Sequence, residues 1–146
     1  MSRMHRSRKN KPNGVRIVGS RLDQQGRSYF GREQWLRRIG FDSYRQYLDS
    51  DLWKRVRDKV FNAYGSNCLC CGNRATQVHH QRYRDSDLTG KRINYLVPIC
   101  NDCHVAVEYD AGAKVGVDCA ARRCRERIWA RNELLGQSKR LSTRRR

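Results

Sequence analysis

Two Cys-x2-Cys pairs constrain the fold of this chain more than any other feature. The first pair is Cys68 and Cys71, and the second is Cys100 and Cys103. Pairs with this spacing build tetrahedral sites in which four thiolates hold one Zn2+. The 28 residues between the pairs exceed the spacing usual in a simple zinc ribbon. The sequence therefore predicts a structural zinc site that frames a further structural element.

A disulfide framework is the alternative use of these cysteines. The chain has seven cysteines, an odd number, and residues 1–11 are polar and basic, without the apolar stretch of a secretory signal. A reduced metal site in an intracellular protein, cytoplasmic or bound to the nucleoid, is the better interpretation. Cys70, Cys119 and Cys124 are predicted to be spare, although Cys70 could replace a neighbour as ligand.

The net charge of +18 lies mostly in two terminal arms. Residues 1–22 contain seven Lys or Arg and no acid, and residues 122–146 contain ten Lys or Arg and two Glu. One arginine side chain can bind two phosphate oxygens at once. The arms are therefore predicted to contact nucleic acid, through residues that include Arg144, Arg145 and Arg146. Solvated tails are the alternative, and the first arm also has the composition of an organelle transit peptide. No apolar run is long enough to predict a membrane span.

The pattern along the chain predicts a small α+β domain. We expect a basic arm over 1–26, a helical lead-in over 27–66, a zinc-framed core over 67–112, and a basic helix with a tail over 113–146. The hydrophobic core of this chain is expected to be small, and the fold would depend partly on metal for its stability.

Within the core, two strands and a helix are predicted around a group of histidines. The strands are expected at 75–79 and 93–99, with a polar loop over 82–92 between them, and the helix from about Cys103 to Val107. His104 and Glu108 are spaced i,i+4, which places both side chains on one helix face.

Apolar periodicity indicates further helices outside the core. Asp42 or Ser43, and then Ser50 or Asp51, are expected to cap the lead-in helices, and Gly65 to end the second. A basic helix is expected from about Cys119 to Leu135, ended by Gly136. The three tryptophans fall in helical apolar patterns and are predicted to lie in the core; they are Trp35, Trp53 and Trp129.

These residues resemble the HNH endonucleases, in the form whose ββα-metal (His-Me finger) motif is framed by four zinc cysteines. The resemblance covers residues 44–109 and is carried by three segments: Cys68-Leu-Cys-Cys71-Gly, Val78-His-His80, and Leu96-Val-Pro-Ile-Cys100-Asn-Asp-Cys103-His104. The lead-in from Tyr47 to Arg57 is similar to the helix that often precedes the first pair in that family. A phage or mobile-element nuclease is the kind of protein implied.

The resemblance implies hydrolysis of DNA phosphodiesters to 5' phosphate and 3' hydroxyl ends. His80 would be the general base, and His79 and His104 would be ligands of a catalytic metal. Glu108 stands where family members often have another His, and its carboxylate favours Mg2+ or Mn2+ over a softer metal.

The Asn of the family motif has no direct counterpart in this chain. The motif's Asn would fall on Tyr95, with Asn94 one position earlier. Arg82 and Arg84 follow the His doublet and are candidates to hold the phosphate, or they are solvated loop charges.

The alternative function is a non-catalytic zinc-stabilised protein that binds DNA or RNA. A homodimer is possible and would be needed for a coordinated double-strand break.

Overall fold

The computed structural model describes residues 31–143, with the side chains of residues 139–143 left out of the description. The predictions for the basic arm over 1–26 and for Arg144, Arg145 and Arg146 lie outside the described residues.

The described chain is a small α+β arrangement with two antiparallel sheets of two strands each. In chain order the elements are α1 (residues 31–38), α2 (Tyr44–Leu48), α3 (Asp51–Tyr64), β1 (Gln77–His80), α4 (Asp85–Leu88), β2 (Leu96–Ile99), α5 (Asn101–Glu108), β3 (Tyr109–Asp110), β4 (Ala113–Lys114) and α6 (Val117–Thr143). The predicted α+β class is confirmed.

Serine side chains start the two lead-in helices. Ser43 Oγ accepts a hydrogen bond from the backbone of Gln46 at the start of α2, and Ser50 Oγ accepts one from Trp53 at the start of α3. Each bond satisfies one backbone N–H that the first turn of a helix leaves free. Gly65 ends α3 with φ of 81°, a left-handed conformation that glycine adopts without strain. These caps and this helix end agree with the sequence patterns.

The lead-in helices pack against β1, β2 and α4 through one apolar cluster. Its buried members are Leu36, Tyr47, Trp53, Val56, Val60, Val78, Leu88 and Leu96. Tyr47 is fully buried, and its hydroxyl donates to the backbone carbonyl of Leu88 at 3.0 Å. The segment between the Cys pairs is therefore tied to the helices that precede it.

A second cluster joins the cysteine pairs to α5 and α6. It contains Ile99 from β2, Val107 from α5 and Cys124 from α6. Cys70 and Cys124 are buried, with their sulfurs 3.8 Å apart. Both residues act as small apolar side chains that pack α6 against the first Cys pair, in agreement with their predicted spare role.

Several predicted elements are wrong in extent. Strand β1 covers Gln77–His80, so it begins two residues later and ends one residue later than predicted. Strand β2 covers Leu96–Ile99 and begins three residues later than predicted. The predicted loop contains the short helix α4, because Asp87 accepts a hydrogen bond from the backbone N–H of Arg84 and closes its first turn.

The last helix and its tryptophan also differ from expectation. Helix α6 continues through Gly136 to Thr143, since one glycine lowers helix stability by only about 1 kcal/mol. Trp129 is 67% exposed, so the prediction that it lies in the core is wrong. No described residue covers the face of α6 on which Trp129 lies. Helical periodicity alone does not reveal whether an apolar face is covered.

Replacing Tyr47 with Phe should lower the free energy of unfolding by about 1–3 kcal/mol, because the buried carbonyl of Leu88 loses its hydrogen bond. Urea unfolding of the zinc-loaded protein measures this. Tyr64→Phe is the matched control, since its hydroxyl reaches the carbonyl of Ile93 at 3.5 Å on an exposed surface. Equal losses of stability in the two variants would contradict a stabilising role for the buried hydrogen bond of Tyr47.

Candidate metal centres

The first Cys pair lies in a tight turn. The backbone N–H of Cys68 donates to the carbonyl of Asn73 at 2.7 Å, and the N–H of Gly72 donates to the carbonyl of Cys68 at 2.8 Å. Gly72 has φ of 88°, and a Cβ there would lie 2.9 Å from the guanidinium of Arg131 on α6. This turn directs the sulfurs of Cys68 and Cys71 to one point.

The second Cys pair lies where β2 becomes α5. Cys100 is the N-cap of α5, and its sulfur accepts from the backbone N–H of Cys103 at 3.5 Å. One helical turn places the two sulfurs on the same side. The helix therefore begins at Asn101, two residues before the predicted start near Cys103, because Cys100 itself takes the N-cap position.

The four cysteines lie close enough together to hold a metal ion such as zinc. All four sulfurs lie within 4.8 Å of one another, and those of Cys71 and Cys100 are 3.7 Å apart. Tetrahedral Zn2+ with Zn–S bonds of about 2.3 Å separates its sulfurs by about 3.8 Å. The donor set and its spacing therefore fit zinc.

The pKa values of the thiols also favour a bound cation. Burial raises the pKa of Cys68, but backbone N–H groups of Cys100, Cys71 and Cys70 outweigh it and bring the pKa to about 7. Burial and the neighbouring thiols raise the pKa of Cys103. Ionisation of Cys68 is thus favoured, whereas thiolates at the neighbouring cysteines would repel it. A bound cation removes that repulsion.

A second group of potential ligands lies beside the first. His79 comes from β1, and His104 and Glu108 come from α5; their ligand atoms lie within 4.8 Å of one another. Glu108 Oε1 lies 3.1 Å from His104 Nε2 and 3.7 Å from His79 Nδ1. The structure thus brings together the three residues predicted to bind the catalytic metal.

Gln77 orients one of these ligands. Its Nε2 donates to Asn101 Oδ1 at 3.1 Å, so its Oε1 faces His104 Nδ1 and accepts a hydrogen bond from it. A proton on Nδ1 leaves the lone pair of the neutral ring on Nε2, which is the atom facing Glu108. When the ring carries a second proton, on Nε2, that N–H donates to Glu108 Oε1 at 3.1 Å, and a cation bound between the two groups would replace that proton.

The remaining polar atoms of the group also fit a cation. His79 is 2% exposed, and neither of its ring nitrogens has a hydrogen-bond partner among the described residues. Burial lowers the pKa of His79 to about 4, which keeps the ring neutral and able to act as a ligand. Burial raises the pKa of Glu108, but the hydrogen bond and charge of His104 and the charges of Lys114 and His79 lower it to about 2. Two imidazoles and an ionised carboxylate form a donor set that suits a divalent cation.

His80 points away from this group. The side chains of adjacent residues in a strand leave on opposite faces, and the His80 ring stacks between Trp53 and Tyr83, with centroids 4.7 and 4.8 Å away. The hydroxyl of Tyr44 lies 3.4 Å from His80 Nδ1, and Nε2 has no hydrogen-bond partner in the part of the chain that the structure describes. Burial lowers the pKa of His80 to about 3, so the ring is neutral at pH 7.

A small cavity nevertheless joins His80 to the candidate ligands. It is bordered by His79, His80, Tyr83, Glu108 and Lys114, among others, and has a volume of about 10 Å³. That is about the volume that one water molecule requires. The general-base prediction for His80 stays a prediction, with this cavity as the point where the residue meets the metal group.

The other predicted site residues lie around this centre. The guanidinium of Arg82 binds both oxygens of the fully buried Asp87, at 2.8 and 2.9 Å, and lies over the Tyr95 ring at 3.6 Å. Arg84 is exposed at the start of α4, and Asn94 is exposed in the turn before β2. Their nucleic-acid and motif roles stay predictions, although Arg82 is already engaged with Asp87.

Sequence reasoning missed three groups of residues around the site. Gln77 lies two residues before His79 on the same strand face, a signal that period-two alternation contains. Lys114 Nζ lies 3.3 Å from Glu108 Oε2 because the β3–β4 hairpin folds back on α5, and the aromatic rings around His80 come from α2, α3 and the loop after β1. No local pattern in the sequence identifies these longer-range contacts.

No protein-family model, curated protein or solved structure matches this chain significantly. None of the helices in the described part of the chain is long and apolar enough to cross a membrane. Function is therefore inferred from the chemistry of the site.

The purified protein should contain about one equivalent of zinc, and Cys103→Ser should remove most of it. The loss should also lower the melting temperature, because metal binding and folding are coupled. Elemental analysis and thermal unfolding measure both effects. Cys119→Ser is the control, since Cys119 lies outside the four-cysteine group; full zinc content in Cys103→Ser would contradict the site.

Proposed function

We propose that this protein is a metal-dependent endonuclease that hydrolyses DNA phosphodiester bonds. The observation that carries the proposal is the group of His79, His104 and Glu108, whose ligand atoms lie within 4.8 Å of one another next to a separate group of four cysteines. A four-cysteine site is complete without further ligands. The second donor set therefore calls for a second role, and a catalytic cation is the one that its chemistry favours.

The order of elements supports the same function. An antiparallel pair of strands, β1 and β2, is followed directly by α5, and the candidate ligands come from the first strand and from the helix. This order is compatible with the ββα-metal arrangement of the HNH endonucleases, which the sequence resembles. One cysteine pair precedes β1 and the other follows β2, so both adjoin the same end of the antiparallel strand pair, as in the zinc-framed form of that family.

Each residue then has a distinct task. A divalent cation bound by His79, His104 and Glu108 would supply positive charge to the phosphate and to the departing 3' oxygen. Gln77 holds His104 in the ring orientation that presents Nε2. Lys114, which contacts Glu108, adds positive charge where the phosphate would approach.

His80 is proposed to take the proton from the attacking water. Its neutral ring, with an Nε2 that no described residue hydrogen-bonds, provides a proton acceptor, and the cavity of about 10 Å³ beside it has room for one water. Attack of that water on phosphorus breaks the bond to the 3' oxygen, which then takes up a proton from solvent. The products are a 5' phosphate and a 3' hydroxyl.

A second candidate function is non-catalytic binding of DNA or RNA. The observation that favours it is the burial of His80, which is 3% exposed and stacked between two aromatic rings. In that case His80 would be a packing residue, and the metal groups would serve stability alone.

Cleavage of supercoiled plasmid in the presence of Mg2+ or Mn2+ separates the two functions. The wild type should produce nicked or linear DNA, and Glu108→Gln should reduce the rate strongly because one carboxylate ligand is lost. Glu126→Gln, on the exposed face of α6, makes the same change of charge and should retain full activity. Plasmid that stays intact with zinc-loaded, DNA-binding wild type would favour the second function.

His80→Phe tests the proposed base without removing the ring from the aromatic cluster. Loss of general-base catalysis should lower the cleavage rate by about 100-fold or more, with zinc content and DNA affinity unchanged. A variant as active as the wild type would assign His80 to packing.

A further inference from the structure

A cleft of about 310 Å³ lies beside the candidate catalytic centre. Three parts of the chain form its walls: α1 with Trp35, the segment after β1 with residues 81–84, and the first turn of α6 with Val117 and Asp118. It belongs neither to the four-cysteine group nor to the His79, His104 and Glu108 group. Its volume is at the lower end of the range of small-molecule sites, about 300–1000 Å³.

The cleft and the small cavity next to the metal group share a wall. Tyr83 and Val117 border both spaces. One face of the Tyr83 ring stacks on His80, and His80 itself borders the small cavity. A group bound in the cleft would therefore lie one side chain away from the proposed site of hydrolysis.

The walls of the cleft favour an anion. Three arginines, Arg32, Arg82 and Arg84, and one carboxylate, that of Asp118, line the cleft. Arg32 also contacts the Glu33 carboxylate at 3.2 Å. Arg82 is held in place by its two bonds to Asp87, while Arg84 is exposed. The cleft also lies at the N-terminal end of α6, a helix of 27 residues, where the helix dipole adds positive potential.

Aromatic side chains border the same space. Trp35 is partly buried, and Arg38 lies 4.6 Å from its ring centre. Arg32 lies 4.2 Å from the ring centre of Tyr44 and 5.7 Å from that of Tyr83. Aromatic rings interleaved with arginines are the combination that binds unpaired bases together with their phosphates.

We propose that this cleft binds one unpaired nucleotide of the nucleic acid strand, with its phosphate on the arginine side and its base against the aromatic side chains. The size of the cleft suits a single nucleotide, whereas a duplex keeps its bases stacked inside and is too wide to enter. The place of this nucleotide next to the cut rests on the proposed nuclease function. Binding in the cleft does not require cleavage.

Binding of a fluorescein-labelled single-stranded DNA of 12 nucleotides to the zinc-loaded full chain, without added Mg2+ or Mn2+, tests the proposal (a length of about 12 covers one site of this kind). Arg84→Gln should weaken binding by about fivefold or more, because a phosphate contact is lost. Arg55→Gln removes the same charge from the exposed face of α3, away from the cleft, and should change affinity by less than about twofold. Equal weakening by both variants would mean that only overall charge matters, and would overturn the proposal.

Photocrosslinking gives the location directly. The same oligonucleotide with 5-iodouracil should crosslink to Trp35 or Tyr83, as identified by mass spectrometry of the labelled peptides. Crosslinks confined to the basic residues after position 121 would place the strand elsewhere and overturn the proposal. A duplex of the same sequence should crosslink at these two residues much less than the single strand.

The outcomes separate the cleft from the nuclease. If plasmid remains intact while Arg84→Gln alone weakens binding and Trp35 or Tyr83 is crosslinked, the cleft stands and the nuclease function fails. If plasmid is cut but neither binding nor crosslinking distinguishes the cleft, the nuclease stands and the unpaired-nucleotide site is wrong.

Discussion

The convergence of four thiols on one point is the constraint on which the rest of the structure depends. Cys68 and Cys71 lie before β1, while Cys100 and Cys103 lie after β2. A cation shared by these sulfurs would close the segment between them into a loop and remove the repulsion between thiolates. Both strands and the insert then have fixed ends. Because α5 begins at Cys100, the same site also fixes where His104 and Glu108 project.

The alternation of side chains along β1 divides the two histidines between different environments. His79 faces α5 and joins the candidate ligands, whereas His80 faces the aromatic residues of the lead-in helices. The pairing of His79 with Val97 and of His80 with Leu96 sets this arrangement, since a shift of one residue would exchange the two faces. The lead-in helices thus contribute the surroundings of the proposed base as well as a core.

Charge is distributed to match this division. His79 and His80 are neutral because burial lowers their pKa values, and Glu108 stays ionised because His104 and Lys114 stabilise its charge. The neutral rings can donate electron pairs and the carboxylate supplies the negative charge that a cation needs. Around this centre, Arg82 is neutralised by Asp87, and Arg84 remains exposed.

The local features of the site could be predicted from the sequence. The Cys-x2-Cys spacing identifies the candidate metal ligands, the i,i+4 spacing puts His104 and Glu108 on one helix face, and serines mark the starts of α2 and α3. These depend on residues within about one helical turn of each other, where chain geometry leaves few alternatives. Only the tertiary structure decided that His79 meets α5, that His80 stacks between Trp53 and Tyr83, and that Trp129 remains exposed. Those relations depend on strand register and on packing between distant segments, which local spacing does not determine.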